Sequence, residues 1–367
     1  MVRIQRRPSR PVRIGSIGVG GDASVSVQSM TNTDTRDVAA TVAQIHRLEA
    51  RGCDLVRCAV VDAQAAAALG EIVRQIRIPL VADIHFDHTL ALAALAAGVH
   101  KIRINPGNIG SRDKARRVVE EAKARQVPIR IGVNAGSLER NILKQHGHPT
   151  ATALVESAMR HVALLEELDF HDIVISLKAS DVPTTVAAYR DMARRVPYPL
   201  HLGVTEAGTQ AAGTVVSAIG IGALLLDGIG DTLRVSLTAP PEKEIDAGFE
   251  ILKALGIRQR GPRFISCPSC GRTAVDLIAI TEAVERELAD VQAPIMIAVM
   301  GCEVNGPGEA AEADIGLACG RTASLVVEKG RVVKKIPNDN LVAAFVAEVR
   351  RFLAEQPASN QEADRRA

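Results

Sequence analysis

The 367-residue chain has no tryptophan and only two tyrosines, and aromatic residues make up 2% of it. That scarcity removes the stacking platforms on which single-stranded nucleic-acid binders rely. An excess of charge of one sign is also missing: 44 Lys and Arg against 42 Asp and Glu leave a formal net charge of +2. No global field selects nucleic acid, so any positive character must be local. Long hydrophobic runs are absent too, the longest, at residues 90–99, being far short of the roughly 18 apolar residues that span a bilayer. The N-terminal stretch MVRIQRRPSRPVRIG is basic but is not followed by the apolar segment of a secretory leader. The chain therefore reads as cytoplasmic, with neither nucleic acid nor membrane as partner. In that compartment six cysteines point to metal or redox chemistry more than to disulfides.

What is present is a globular composition, 47% apolar, in a chain long enough for one large domain and a smaller one, since single cores stop growing near about 250 to 300 residues. Eight short β-branched runs recur: SVSVQSM, DLVRCAV, IPLVADIH, HKIRINPG, PIRIGVNAG, DIVISLKAS, PLHLGVTEAG and ALLLDGIG. Between them lie helix-period segments such as Val38, Val42, Ile45 and Leu48, or DAQAAAALGEIVRQI. Such alternation predicts βαβ units and a parallel sheet, and eight of them in sequence match a closed (β/α)8 TIM-type barrel. The alternative is an open doubly wound sheet. It would carry a Gly-rich phosphate loop after its first strand, whereas GVGGDASV precedes that strand here. The expected organisation is a barrel over residues 1–255, a small α/β domain over 256–355, and a disordered tail over 356–367.

Polar residues gather at the C-terminal ends of these runs: Gln28 and Ser29, Arg57, Asp83 and His85, Arg103 and Asn105, Arg130 and Asn134, Ser176 and Lys178, Thr205 and Glu206, and Asp227. In a barrel all these ends rim one mouth, where barrel enzymes place their chemistry. Arg57, Arg103, Arg130 and Lys178 would converge there from four strands, which calls for an anion, phosphate or diphosphate above all. Asp83, Glu206 and Asp227 could instead neutralise them internally. Glu206, in GVTEAG, suits a general acid or base, or an ion pair with Lys178. His201 lies earlier in its strand and reads as a layer residue. Lys178 also admits a Schiff-base lyase, a reading that leaves the C-terminal cysteines without a role.

From RGPRFISCPSCGRT onward the pattern changes to a helix (ITEAVEREL), a strand (PIMIAVMG), a hairpin (SLVVEKGRVVKKI) and a closing amphipathic helix (NLVAAFVAEVRRFL). Cys267 and Cys270 form a C-x-x-C turn, and Cys302 follows the strand. A structural zinc would want four closed ligands, and no fourth Cys or His with ribbon spacing follows. Three thiolates on an iron–sulfur cluster leave one iron for a labile ligand. The fourth donor is either Cys319, the softer one, or Glu309. A zinc-stabilised binding module is the remaining alternative. Cys53 and Cys58 read as small apolar core residues.

Taken together, ISCPSCGRT, GCEVNGPGEA, KIRINPGNIG, RIGVNAGSL, VTEAG and DGIGDTLRVSL closely resemble the bacterial 4-hydroxy-3-methylbut-2-enyl diphosphate synthase family, over roughly residues 14–353. The resemblance implies reductive ring opening of 2-C-methyl-D-erythritol 2,4-cyclodiphosphate in non-mevalonate isoprenoid synthesis. It implies electrons delivered singly from flavodoxin or ferredoxin through a 4Fe-4S cluster on Cys267, Cys270, Cys302 and Glu309. It further implies that Arg57, Arg103, Arg130 and Lys178 grip the cyclic diphosphate with Asp83, His85 and Asn134 nearby, that Glu206 handles proton transfer, and that Asn305 orients the bound hydroxyl. Members of the family are homodimers in which one subunit's cluster domain caps the other's barrel.

Overall fold

The computed structural model describes residues 4–85, 87–104, 111–302 and 306–355. The tail expected at 356–367, Asn105 and Asn305 lie outside the described residues. Two compact units divide the chain, Met1–Arg258 and Gln259–Ala367. Arg258 is held in the first unit by a fork onto both Asp54 oxygens, at 2.5 and 3.0 Å.

A short hairpin, β1 (Val12–Ile14) and β2 (Ile17–Val19), opens the first unit. Eight parallel strands follow: β3 (Ser26–Met30), β4 (Leu55–Ala59), β5 (Leu80–Asp83), β6 (Lys101–Ile104), β7 (Ile129–Asn134), β8 (Ile173–Lys178), β9 (His201–Leu202) and β10 (Thr232–Leu233). Each pairs with its sequence neighbour, β10 returns to β3, and a parallel bridge from Ile175 to Leu200 joins β8 to the segment entering β9, closing the barrel. Helix starts are marked chemically. Asp37, Asp62, Asp87, Ser111, Thr150 and Asp181 each accept an N–H of the first helical turn in their side chain, which satisfies a donor that the helix itself leaves open.

Strand residues alternate between faces. Val56, Cys58, Ile102, Ile131 and Ile175 join the apolar layer against the helices, and their neighbours Arg57, Lys101, Arg103, Arg130 and Ser176 point into the lumen. Cys53 and Cys58 are buried in that apolar layer, and burial pushes the Cys58 thiol up to about 11. Val12, Ile14 and Val19 of the hairpin pack on Leu55, Val81 and Val174, sealing the end where the strands begin. The eight-stranded barrel is as expected, with one correction. ALLLDGIG is not the eighth strand: Ala223 to Leu226 finish the helix Gln210–Leu226, and the strand is β10. A continuous apolar run does not discriminate a buried strand from a buried helix. Asp227 consequently caps that helix, away from the strand C-termini, and pairs with Arg190 at 2.7 Å.

The second unit is a five-stranded sheet of β11 (Arg263–Ser266), β12 (Met296–Met300), β13 (Ile315–Ala318), β14 (Ala323–Glu328) and β15 (Arg331–Pro337) in that order, the first three parallel and the rest antiparallel. Lys329 and Gly330, at φ 47° and 81°, make the two-residue left-handed turn suited to a twisted hairpin. Helices Leu277–Glu287 and Leu341–Glu355 bury Val284, Phe345 and Val349 against Ile297, Val299, Leu317 and Val326. Among the described residues no helix is long and apolar enough to cross a membrane.

Candidate active site

The barrel strands bring seven of the residues expected at the mouth to one end of the lumen. Asp83, 3% exposed, is the hub: Oδ1 accepts from Arg103 Nη1 at 3.1 Å, and Oδ2 lies 3.5 Å from both Arg57 Nε and His85 Nε2. Burial works to raise the Asp83 carboxyl, but Arg57, His85 and Arg103 outweigh it and hold the group below the usual carboxylate range. Arg57 also donates to Met30 Sδ at 2.9 and 3.2 Å; burial lowers it to about 10 against the pull of Asp83. Arg103 donates to the Gly132 carbonyl at 3.2 Å, and Asn134, with its amide turned to satisfy both ends, accepts from the same guanidinium at 3.2 Å.

Arg130 is 1% exposed, yet its Nε and Nη1 have no partner among the described residues. Lys178 is buried with no carboxylate on it among those residues. Burial, then Arg130 and Arg57, push its pKa well down. Two glycines make room for these groups. A Cβ on Gly132 would sit 2.3 Å from Arg103 Nε, and one on Gly203 would sit 2.6 Å from Lys178 Nζ.

Glu206 stands at the rim, exposed, with φ +55°, a left-handed backbone that costs a non-glycine residue of order 1 kcal/mol and is characteristic of functional sites. The ion pair between Glu206 and Lys178 is not formed among the described residues. His201 is buried in the lumen wall, its Nδ1 3.4 Å from Thr232 Oγ1.

The sequence reading missed Lys101, Arg234 and Glu244. Lys101 is fully buried in the lumen. Arg234, directly after β10, forks onto Glu244 at 3.0 and 3.1 Å, and Glu244 also accepts from Ser29 Oγ at 2.9 Å. Glu244, not Asp227, is thus the second internal counter-charge. Its signal was a glutamate on the apolar face of the helix Pro241–Ala254. Six basic side chains, Arg57, Lys101, Arg103, Arg130, Lys178 and Arg234, therefore surround two carboxylates. Rigid walls, forked donors and surplus positive charge suit the arrangement to an anion.

In the second unit β11 and β12 run side by side with Ser266 opposite Val299, so Cys267 and Cys302 leave the same edge of the sheet. The Gly301 amide donates to Cys267 Sγ at 3.2 Å. Cys270 is exposed in a turn closed by Thr273, whose Oγ1 accepts from the Cys270 amide at 3.0 Å. Glu309 is exposed on the helix Gly306–Ala310. Cys319, which follows β13, is fully buried in the apolar core, where burial pushes its thiol up to about 11. Among the described residues no three His, Cys, Asp or Glu side chains already converge at metal-binding distance. The donor chemistry nevertheless fits an iron–sulfur cluster: accessible thiols on one edge, with an amide donor aimed at one sulfur.

Comparison with known proteins identifies both units. Residues 9–249 match the GcpE TIM-barrel domain, and residues 263–351 match the GcpE protein C-terminal domain. A relative from Geobacter sulfurreducens is 58% identical over 348 residues, covering 95% of this chain and 99% of the relative. Another, from Clostridium perfringens, is 57% identical over 343 residues, covering 94% and 98%. Both are named 4-hydroxy-3-methylbut-2-en-1-yl diphosphate synthase (flavodoxin). Among solved structures, a dihydropteroate synthase from Stenotrophomonas maltophilia superposes with TM-score 0.50 at 15% identity, covering 68% of this chain and 98% of that one; the likeness is one of barrel fold alone. With both units matched and more than half of its residues shared with such relatives over nearly its whole length, the chain belongs to the GcpE family.

Proposed function

We propose that the chain reductively opens 2-C-methyl-D-erythritol 2,4-cyclodiphosphate, expels its hydroxyl as water and releases 4-hydroxy-3-methylbut-2-enyl diphosphate for non-mevalonate isoprenoid synthesis. The observation that carries this reading is the lumen's uncompensated positive charge, above all the buried Arg130 with open donors, in a chain whose relatives bear that enzyme's name. A 4Fe-4S cluster on Cys267, Cys270 and Cys302, with Glu309 as fourth ligand, would supply the two electrons one at a time. The relatives' names support flavodoxin as donor; ferredoxin is the alternative.

Arg57 and Arg103, held apart by Asp83, offer their remaining donors to one phosphate, and Arg130 and Lys178 meet the other. Asn134 and His85 border the bound ring, and Asn305 orients its hydroxyl. Because Arg57, Arg103, Arg130 and Lys178 are fixed by strands before substrate arrives, little reorganisation is spent in the reaction. Glu206 delivers the proton that the departing hydroxyl oxygen needs. Glu309 is favoured over Cys319 by access: a carboxylate on an exposed helical turn can move toward the thiols, whereas Cys319 is locked in the core. The working form in this reading is a cytoplasmic homodimer, each barrel capped by the partner's cysteine unit.

Anaerobic iron and sulfide analysis tests the reading. It expects a brown protein, bleached by dithionite, that converts the cyclic diphosphate; a colourless protein holding stoichiometric zinc would sink it. For the fourth ligand, Glu309→Ala should retain a cluster on three thiolates while its Mössbauer spectrum changes and turnover falls by about a hundredfold. An unchanged spectrum would remove Glu309 from the ligand set.

A further inference from the structure

The lumen holds a further basic side chain below the phosphate-gripping layer. Lys101, the first residue of β6, is fully buried, and its Nζ reaches Gln28 Oε1 only at 3.5 Å, the outer limit of a hydrogen bond. Gln28 stands on β3, with β4 and β5 between it and β6 in the sheet, so this contact crosses the lumen. Arg103 follows Lys101 by two residues on the same inward face, which places Lys101 one side-chain layer deeper than the Asp83–Arg103 pair.

Every strand contributes a facing group: Gln28, Arg57, Asp83, Arg103, Arg130, Lys178, His201, and Thr232 with Arg234 beyond it. Asp83 is already engaged by Arg57 and Arg103, and Glu244 by Arg234. Gln28 Nε2, Arg130 Nε and Nη1, and His201 Nε2 have no partner among the described residues. A buried ammonium with one marginal acceptor and cations nearby sheds its proton. Burial, then Arg130 and Arg57, accordingly drive the Lys101 pKa well down. Arginines do not adjust in this way.

We propose that Lys101 is an adjustable charge of the barrel, an amine that takes up a proton when a diphosphate occupies the mouth and keeps it as the ring opens. This rests on the function proposed above. A cyclic diphosphate carries one charge on each phosphorus, whereas ring opening frees a terminal phosphate that ionises again near neutrality. The balance is dianion plus two electrons plus one proton giving trianion plus water. The electrons from the reduced donor protein become the new carbon–carbon π bond, the ring C–O pair stays on the phosphate oxygen, and the proton leaves in the water. Negative charge in the lumen therefore grows, and Lys101 lies beneath it ready to compensate.

The test is calorimetric titration of the cyclic diphosphate, and separately of inorganic pyrophosphate, into the oxidised full-length protein at mildly alkaline pH, in buffers of different ionisation enthalpy. Wild type should take up protons on binding. Lys101→Met should bind roughly tenfold more weakly, take up fewer protons, and melt no lower than wild type when ligand-free, because a buried amine without a good partner has been removed. A Lys101 that serves only structure would instead lower the melting temperature and leave uptake unchanged. Lys101→Gln, polar but never charged, repeats the test should the Met variant not fold. Undiminished uptake in either folded variant overturns the proposal for Lys101 alone. Failure of wild type to bind the cyclic diphosphate overturns the parent reading, while Lys101-dependent uptake with pyrophosphate would keep the anion site.

Discussion

In the barrel, Asp83 already holds arginines from two neighbouring strands, and glycines at 132 and 203 are carved to fit Arg103 and Lys178. In the second unit, Cys267 receives a backbone amide, Cys270 faces solvent, and Glu309 waits on an exposed helical turn. The contrast follows from the chemistry of the groups. A guanidinium keeps its charge wherever it sits, so in a buried lumen it must be fixed in position before substrate arrives, with carboxylates offsetting only part of the charge. A thiol can remain neutral and hydrated until metal displaces its proton. One unit is built around its charges; the other, in the proposed reading, completes itself around a cluster.

The comparison breaks most visibly at Cys267. Cys267→Ser should lose iron and reduce turnover on the order of a thousandfold or more, while the barrel still binds the cyclic diphosphate with near-native affinity. Iron retention together with near-native turnover would refute the asymmetry. Next in size is Arg130→Met. Substrate affinity should fall on the order of a hundredfold, the scale of losing a desolvated charge contact, with thermal stability of the free protein unchanged or raised because an unpaired buried charge has gone. A large drop in melting temperature would instead make Arg130 structural. Smaller still is Gly132→Ala, whose Cβ would collide with the Arg103 guanidinium; steady-state kinetics should show KM up about tenfold with iron content untouched.

The smallest effect concerns pH. Lys101 and Lys178 have folded-state pKa values well below their ordinary ones. The unfolded chain then binds more protons between those folded values and about 10.4, so stability rises with pH across that window. Urea midpoints of the ligand-free protein should climb between about pH 7 and 8.5, and the climb should shrink in Lys101→Met. A midpoint that falls across the same range would contradict burial of titrating lysines.

The barrel was legible because β-branched runs and helix-period segments are local signals, and because Arg57, Arg103 and Arg130 interrupt otherwise apolar strands. The eighth strand was not. β10 is two residues long, too short to carry a pattern, beside an apolar run that belongs to a helix; Arg234 and Glu244 were lost with it. Lys101 escaped because a lysine at a strand start reads as a rim residue until closure of the barrel buries it. In the second unit β11 and β13, RFIS and IGLA, are four residues each and were passed over. They are the strands that set Cys267 and Cys319 beside the end of β12. Spacing left Cys319 and Glu309 open as alternatives, since only packing reveals that Cys319 is sealed in the core.

The central claim is that the chain reductively opens the cyclic diphosphate. It is tested most directly by supplying the anaerobically reconstituted full-length protein with reduced flavodoxin and the cyclic diphosphate, and following the product by mass spectrometry. The account predicts the linear allylic diphosphate, one per two electrons consumed. A protein fully loaded with iron and sulfide that binds the cyclic diphosphate yet forms none of this product under reducing conditions would contradict it.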